Sequence, residues 1–420
     1  MSRLKHPLLL NTSSYYLINF SDYFISLIIL PFFARTILME GIGLLGLANT
    51  LGVVCLLVME YGFSLSATRE IASNNDNKYI SLLVSKVLIT KLILIIPCII
   101  ISICSFLLVP IFEKYQLLII LTLIISIFNG LTPIWYFQGI QKIYPLAVLK
   151  ISIRIISIIP IFFMVRSVDD IWIVLFFQCV ASFLICLISL GWLFKEIRFV
   201  FVSFDDIKNS LIDGWHTFSL TIIPPLFTMF AFFWLSSKLS IESIGLLNSA
   251  ERIFKASISI FGPISQAIYP FLISEFSKNK LRAIFRIKQV FWLYLALSTV
   301  VSLVIIFFAN PFIKWYLGEI FVDSAKILQV FAVSIPIIKI SHILGRQWML
   351  SIKLDRIVNI AVIFSNIFLF IFLTSFHNDY KVFSFPVSLL IAESLLLLFY
   401  IIYLQYYKLG FWNSQKEKSL

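Results

Sequence analysis

Apolar runs of about 20 residues recur from position 13 to position 406, each close to the length a helix needs to cross the hydrocarbon of a bilayer. They fall near 13–34, 42–60, 82–110, 116–137, 146–165, 171–193, 215–236, 243–270, 289–309, 324–344, 357–376 and 384–406, which makes twelve. Nothing constrains this chain more. In lipid every backbone polar group must be satisfied internally, so repeated runs of this length predict an all-α polytopic membrane protein. Composition agrees: 60% of residues are hydrophobic, 13% are charged and 43 are phenylalanine, against about 25% charged in a typical soluble domain. Run 82–110 is long, and its first part, with Lys86 and Lys91, is expected to lie along the interface. Runs 13–34, with Asn19 and Asp22, and 243–270, with three charges, are expected to be broken or cavity-lining helices.

Two stretches 202 positions apart read almost alike: Ile42-Gly43-Leu44-Leu45-x-x-Ala48 and Ile244-Gly245-Leu246-Leu247-x-x-Ala250. Each follows one apolar run and opens the next. This predicts a duplicated bundle, with one six-helix lobe at 1–200 and a second at 201–420. Such a parallel repeat places a substrate site at the interface of its halves.

Orientation follows from Lys and Arg in alternate loops. The amino terminus and loops 61–80, 138–145, 194–214, 271–288, 345–356 and 407–420 hold 19, whereas the intervening loops hold six. Both termini are therefore expected on the cytoplasmic side. The cluster Lys278, Lys280, Arg282, Arg286 and Lys288 reads as an anchor beside anionic headgroups. Because the basic excess flanks spans on one side only, nucleic acid is not an expected partner. The amino-terminal run has no small-x-small cleavage site at a sensible distance and is read as a retained span. All five cysteines lie inside apolar runs, so disulfides are not expected.

No catalytic constellation is visible. His6, His216, His342 and His377 are scattered without metal-ligand spacing, and there is no Walker-type lysine loop. Gly41-x-Gly43-x-x-Gly46 matches a dinucleotide fingerprint only on paper, since no strand precedes it. The chain is therefore not read as an enzyme, and no metal or organic cofactor is expected. Trp135-Tyr136-Phe137 reads as an interfacial aromatic belt, and Arg35, Lys238, Lys326 and Lys339 as snorkelling run-end cations.

The informative residues are charges inside spans. Glu251, Arg252 and Lys255 lie 8 to 12 residues from the outer edge of the eighth run, roughly 12–18 Å deep. A cation there costs about 2.5–3.5 kcal/mol even on mild insertion scales, so it must face protein or water. Arg252 and Lys255 share a helical face, and a cationic cavity for an anionic substrate explains the pair. Lys150 and Arg154 form a second pair on one face of the fifth run, Lys150 being shallow enough to snorkel. The acids Asp22 and Glu393 either pair with these cations or carry a coupling proton or sodium ion. Glu60, Arg69 and Glu70, in the first inner loop, are candidate cytoplasmic gate charges or solvated ones.

Several stretches are similar to one family. Leu30-Pro31-Phe32-Phe33-Ala34-Arg35, Gly43-Leu44 and the run Glu60-Tyr61-Gly62-Phe63-Ser64-Leu65-Ser66-Ala67-Thr68-Arg69-Glu70-Ile71-Ala72 resemble the opening of bacterial Wzx-type O-antigen flippases. Tyr136-Phe137-Gln138-Gly139, Tyr269-Pro270 and Gly245-Leu246-Leu247 with Ala250-Glu251-Arg252 resemble later signposts of that family. The resemblance implies a MATE-like V of two six-helix lobes, within the multidrug/oligosaccharidyl-lipid/polysaccharide exporter superfamily. It implies alternating access in the bacterial inner membrane, carrying oligosaccharide repeat units on undecaprenyl pyrophosphate to the periplasmic leaflet. Membrane lipids and the polysaccharide polymerase machinery are the implied partners. Two rivals remain. A cation-coupled drug exporter of the same superfamily would favour acidic lumen residues. A membrane polysaccharide polymerase would need a large outer loop, and the longest here has 14 residues.

Overall fold

The computed structural model describes residues 24–74, 76–109, 111–262, 265, 280–352 and 354–407. They are almost entirely helical. Eight stretches are long and apolar enough to cross a membrane, and the last, Asp355–Tyr406, holds two helices. The expected total of twelve draws partly on residues outside those described. The chain divides into two compact units, Met1–Gly245 and Leu246–Leu420.

In the first unit the helices are α1 (Phe24–Thr36), α2 (Leu38–Glu60), α3 (Phe63–Ser73), α4 (Asn77–Ile93), α5 (Ile95–Leu108), α6 (Ile111–Lys114), α7 (Gln116–Leu131), α8 (Ile134–Gly139), α9 (Ile143–Met164), α10 (Ile171–Glu196) and α11 (Phe204–Ser236). At its centre stands α2, which packs on α5, α7 and α11. Its sequence helps explain this position, because Gly43 admits the backbone of the helix at Ile241–Gly245 and Gly52 admits Thr122 and Ser126 of α7, in the manner of membrane helix interfaces. At Gly43 a Cβ would sit 2.3 Å from the Ile241 carbonyl oxygen, and at Gly245 one would sit 2.0 Å from that of Met39. The glycines of the repeated motif are thus mutual contact points.

Several expected loops are helical. The region 61–80 contains α3 and the start of α4, and α11 begins at Phe204, well before the apolar run at 215. Ser203 caps it by accepting from the Asp206 amide, with the Asp206 carboxylate accepting in return. Run 82–110 falls almost entirely within one apolar helical stretch, Asn77–Leu107. It belongs to α4 and α5, and Lys91 within it is fully buried. The aromatic run is not a lipid belt: Trp135, Tyr136 and Phe137 are buried in α8, which packs on α3.

The helix α12 (Ile241–Ser259) opens in the first unit and continues into the second. The second unit adds α13 (Lys280–Tyr316), α14 (Val322–His342), α15 (Asp355–Tyr380) and α16 (Ser384–Tyr406). Here α14 is central, packing on α13 and α16. The span Glu319–Met349 is 61% buried within the protein, as is α2, whereas the span Ile284–Tyr316 of α13 is 22% buried. A π-helix, Ile343–Met349, continues α14, with Leu350 N–H donating to the Gly345 carbonyl. A Cβ at Gly345 would lie 2.7 Å from the Tyr400 ring, so the glycine makes room for that side chain.

Candidate functional site

In the first unit Glu60, the last residue of α2, is held by a lysine from another helix. Tyr61 and Gly62, next in the chain, are both left-handed (φ 43° and 79°) and turn it sharply into α3. The Lys91 ammonium on α4 reaches Glu60 Oε1 at 3.2 Å and donates to the Gly130 carbonyl on α7 at 2.7 Å. Ser64 Oγ also donates to Glu60. On α9, Lys150 is 8% exposed. No hydrogen-bond acceptor for Lys150 Nζ is found among the described residues. Arg154, one turn further along α9, is half-buried.

The other two candidate gate charges lie apart. Arg69 is exposed, and Glu70 accepts a hydrogen bond from the Tyr79 hydroxyl at 2.8 Å.

In the second unit, Asn248, Glu251, Arg252 and Lys255 follow one face of α12. Arg252 Nε donates to Asn248 Oδ1 at 2.8 Å, and Lys255 Nζ meets Glu251 Oε1 at 2.7 Å. Glu251 is buried and its partner partly exposed. The pair that sequence made most prominent is therefore already held by neighbours on its own helix. Glu393 on α16 accepts from Ser341 Oγ at 3.2 Å, with the charges of Lys339 and Arg346 nearby. Asp22 lies outside the described residues.

Two members escaped sequence reasoning. Lys91 read as an interfacial cation and Lys339 as a snorkelling one. Lys339 is instead 4% exposed, donating to the Ile258 carbonyl at 3.0 Å beneath the Phe261 ring. The available signal was depth. Lys91 stands 14 residues into its helix, about 21 Å along its axis, too far in for its stem to reach water easily. Among the described residues, no group of three or more His, Cys, Asp or Glu side chains could hold a metal ion.

Outside the spans, electrostatics fix the ends of helices. The Lys86 ammonium, 2.7 Å from Asp206, and the Ser203 hydroxyl hold the Asp206 carboxyl below the usual carboxylate range. Backbone N–H groups of Arg166 and Ser167, with the Ser167 hydroxyl, donate to the Asp170 carboxylate before α10.

The architecture is shared with solved membrane proteins. The chain is similar to the lipid II flippase MurJ in an inward closed conformation, with TM-score 0.71 at 15% identity, covering 95% of this chain and 87% of that one. It is similar also to an inward-facing multidrug resistance MATE family transporter, with TM-score 0.69 at 15% identity and 96% of each chain covered. At such identities the likeness concerns the fold. Sequence relatives lie nearer. Two proteins named "Putative O-antigen transporter" match: one from Escherichia coli K12, 29% identical over 79% of this chain and 80% of its own length, and one from Shigella dysenteriae, 26% identical over 91% and 96%. Residues 8–277 match the family described as polysaccharide biosynthesis protein. This multi-pass, helical membrane protein belongs to the polysaccharide biosynthesis protein family.

Proposed function

We propose that the chain is a flippase carrying undecaprenyl-pyrophosphate-linked O-antigen, or a related surface polysaccharide repeat unit, from the cytoplasmic to the periplasmic leaflet of the bacterial inner membrane. One observation carries this reading beyond family membership. Lys150 is almost fully buried inside a spanning helix, yet its ammonium makes no hydrogen bond to the described residues. A cation so enclosed by protein and without a protein acceptor is costly unless water or an anion reaches it. A lipid diphosphate is such an anion.

In the mechanism, Lys150 and Arg154 attract the diphosphate from the cytoplasmic side. The units then alternate access while the polyprenyl tail stays in lipid. A proton or sodium gradient resets the cycle, with Glu393 as a carrier. Both termini face the cytoplasm, and the polysaccharide polymerase machinery receives the product. The work is transport, not catalysis.

Purified protein in vesicles bearing a fluorescent lipid-linked oligosaccharide tests the reading. The wild type should make label from the inner leaflet accessible to an external quencher. Lys150→Ala should slow this about tenfold, equivalent to roughly 1.4 kcal/mol. Folded wild-type protein that leaves the label distribution unchanged, while moving a cationic dye across the same vesicles, would establish the exporter instead.

A further inference from the structure

The link between α10 and α11 makes two demands that no uniform surroundings meet. It begins where the apolar stretch Val168–Glu196 ends, and from Ile197 to Ser203 the backbone is not helical. Both flanking caps are extended, Ile197 with φ −119° and ψ 135°, Ser203 with φ −73° and ψ 159°. Val200 N–H donates to the buried Ser85 hydroxyl of α4 at 2.9 Å. Among the described residues, the amides of Arg198, Phe199, Phe201 and Val202 find no acceptor. Open amides of this kind are not tolerated in hydrocarbon. The side chains favour the opposite surroundings. Phe201 is 95% exposed and Phe204 77%, and the Phe199 ring lies 6.3 Å from that of Phe201, equally turned outward. Only the headgroup layer of a membrane offers polar partners to a backbone and apolar surroundings to rings.

Charge around the link has a sign. Lys195, Arg198 and Lys208 are exposed and form no ion pair among the described residues. The neighbouring acids are mostly engaged: Glu196 meets Lys142 at 3.1 Å and Asp206 meets Lys86 at 2.7 Å, which leaves Asp205. We propose that residues 195–208 are a docking site for anionic phospholipid headgroups, with Phe199, Phe201 and Phe204 seated in the headgroup layer and Lys195, Arg198 and Lys208 meeting the phosphates. Cations beside inserted rings are what hold amphipathic segments to anionic membranes. Helix α4 aims the link, because the Val200–Ser85 hydrogen bond and the Lys86–Asp206 ion pair tie it at two points, and the flanking Ile197 and Ile207 are buried. With 33 residues, α11 is about 50 Å long, against roughly 30 Å of hydrocarbon. Its first turns, with Asp205, Asp206 and Lys208, therefore have length to stand outside the hydrocarbon, level with the link. Lipid composition then sets how firmly the start of α11 is held. The site goes beyond the transport reading and does not rest on it.

Photocrosslinking identifies what covers the rings. The full chain carrying Phe201→p-benzoylphenylalanine is reconstituted in nanodiscs of equimolar phosphatidylcholine and phosphatidylglycerol, irradiated, and its adducts identified by mass. A parallel sample carries the same probe at Phe307, which is exposed within the span Ile284–Tyr316. Position 201 should capture phospholipid, with phosphatidylglycerol favoured about fivefold, the worth of one cation near a charged surface. Position 307 should capture the two lipids equally. In Lys195→Gln/Arg198→Gln/Lys208→Gln the preference at 201 should vanish, whether or not total capture falls. Adducts to a second copy of the chain, or no lipid adduct at 201, overturn the proposal. So does a preference at 201 no greater than that at 307, or one that survives loss of all three cations. High salt gives the same reading without the triple substitution: the preference at 201 should fall toward unity, and a preference indifferent to salt overturns the role of the cations.

Discussion

At the residue scale, what a neighbouring atom belongs to decides what a substitution does. A methyl added at Gly43 would meet the Ile241 carbonyl at 2.3 Å, and backbone cannot step aside cheaply. Gly43→Ala should therefore destabilise by about 1–3 kcal/mol, seen as a lower melting temperature in detergent. Gly52→Ala should cost less, because its nearest neighbour is the Thr122 methyl at 3.1 Å. Charges divide in the same way. Lys91→Ala strands Glu60 and should cost about 3 kcal/mol, whereas Lys142→Ala, whose partner Glu196 is also exposed, should cost less than about 1 kcal/mol. Both follow from chemical denaturation of the purified protein. Glycine spacing was legible in the sequence, and so was the presence of cations inside spans. Which cations already have partners was not. Glu251 and Asn248 lie one helical turn from the residues they hold and were there to be read, but Glu60 and Lys91 are 31 residues apart and on different helices. Only the packing of α2 against its neighbours brings them together.

Among elements, the pairing of α3 with α8 shows what a family motif does physically. The most specific stretch of the chain, around Thr68 and Ile71, and the Trp135–Gly139 segment pack on each other. Thr68 Oγ1 donates to the Trp135 carbonyl at 3.1 Å, and Gly139 lies flat against Ile71. Thr68→Val should weaken this contact by about 1 kcal/mol, and Gly139→Ala by more, since its Cβ would lie 2.7 Å from that of Ile71. Hydrogen exchange of α3 amides reports both. Sequence marked these segments as notable yet read one as a loop and the other as a lipid belt. Short helices between spans carry too few apolar residues to announce themselves. The start of α11 adds a dependence on pH. Asp206 is held below the ordinary carboxylate range by Lys86 and Ser203. Its contribution is thus present above the unfolded-state value and fades as pH falls through the lowered one. Amides in the first turn of α11 should exchange faster in that acidic window, and Asp206→Asn should abolish the change.

At the scale of the molecule, each unit is built around one enclosed helix, α2 in the first and α14 in the second, with less enclosed helices beside it. Hydrophobic length alone revealed the class, because spanning helices obey one rule about backbone satisfaction. Burial within the protein was hidden, since a helix apolar on all sides looks the same whether lipid or protein surrounds it. The Lys91 site has a consequence for how the protein is made. One of its two partners, Glu60, leaves the ribosome 31 residues earlier, and the other, the Gly130 carbonyl, follows 39 residues later. A lone lysine released into hydrocarbon would bear the full insertion penalty. The segment carrying it should therefore stay beside the translocon until the later helix arrives, which crosslinking of nascent chains ending before and after Gly130 would check: loss of the crosslink before α7 emerges would mean that α4 inserts alone.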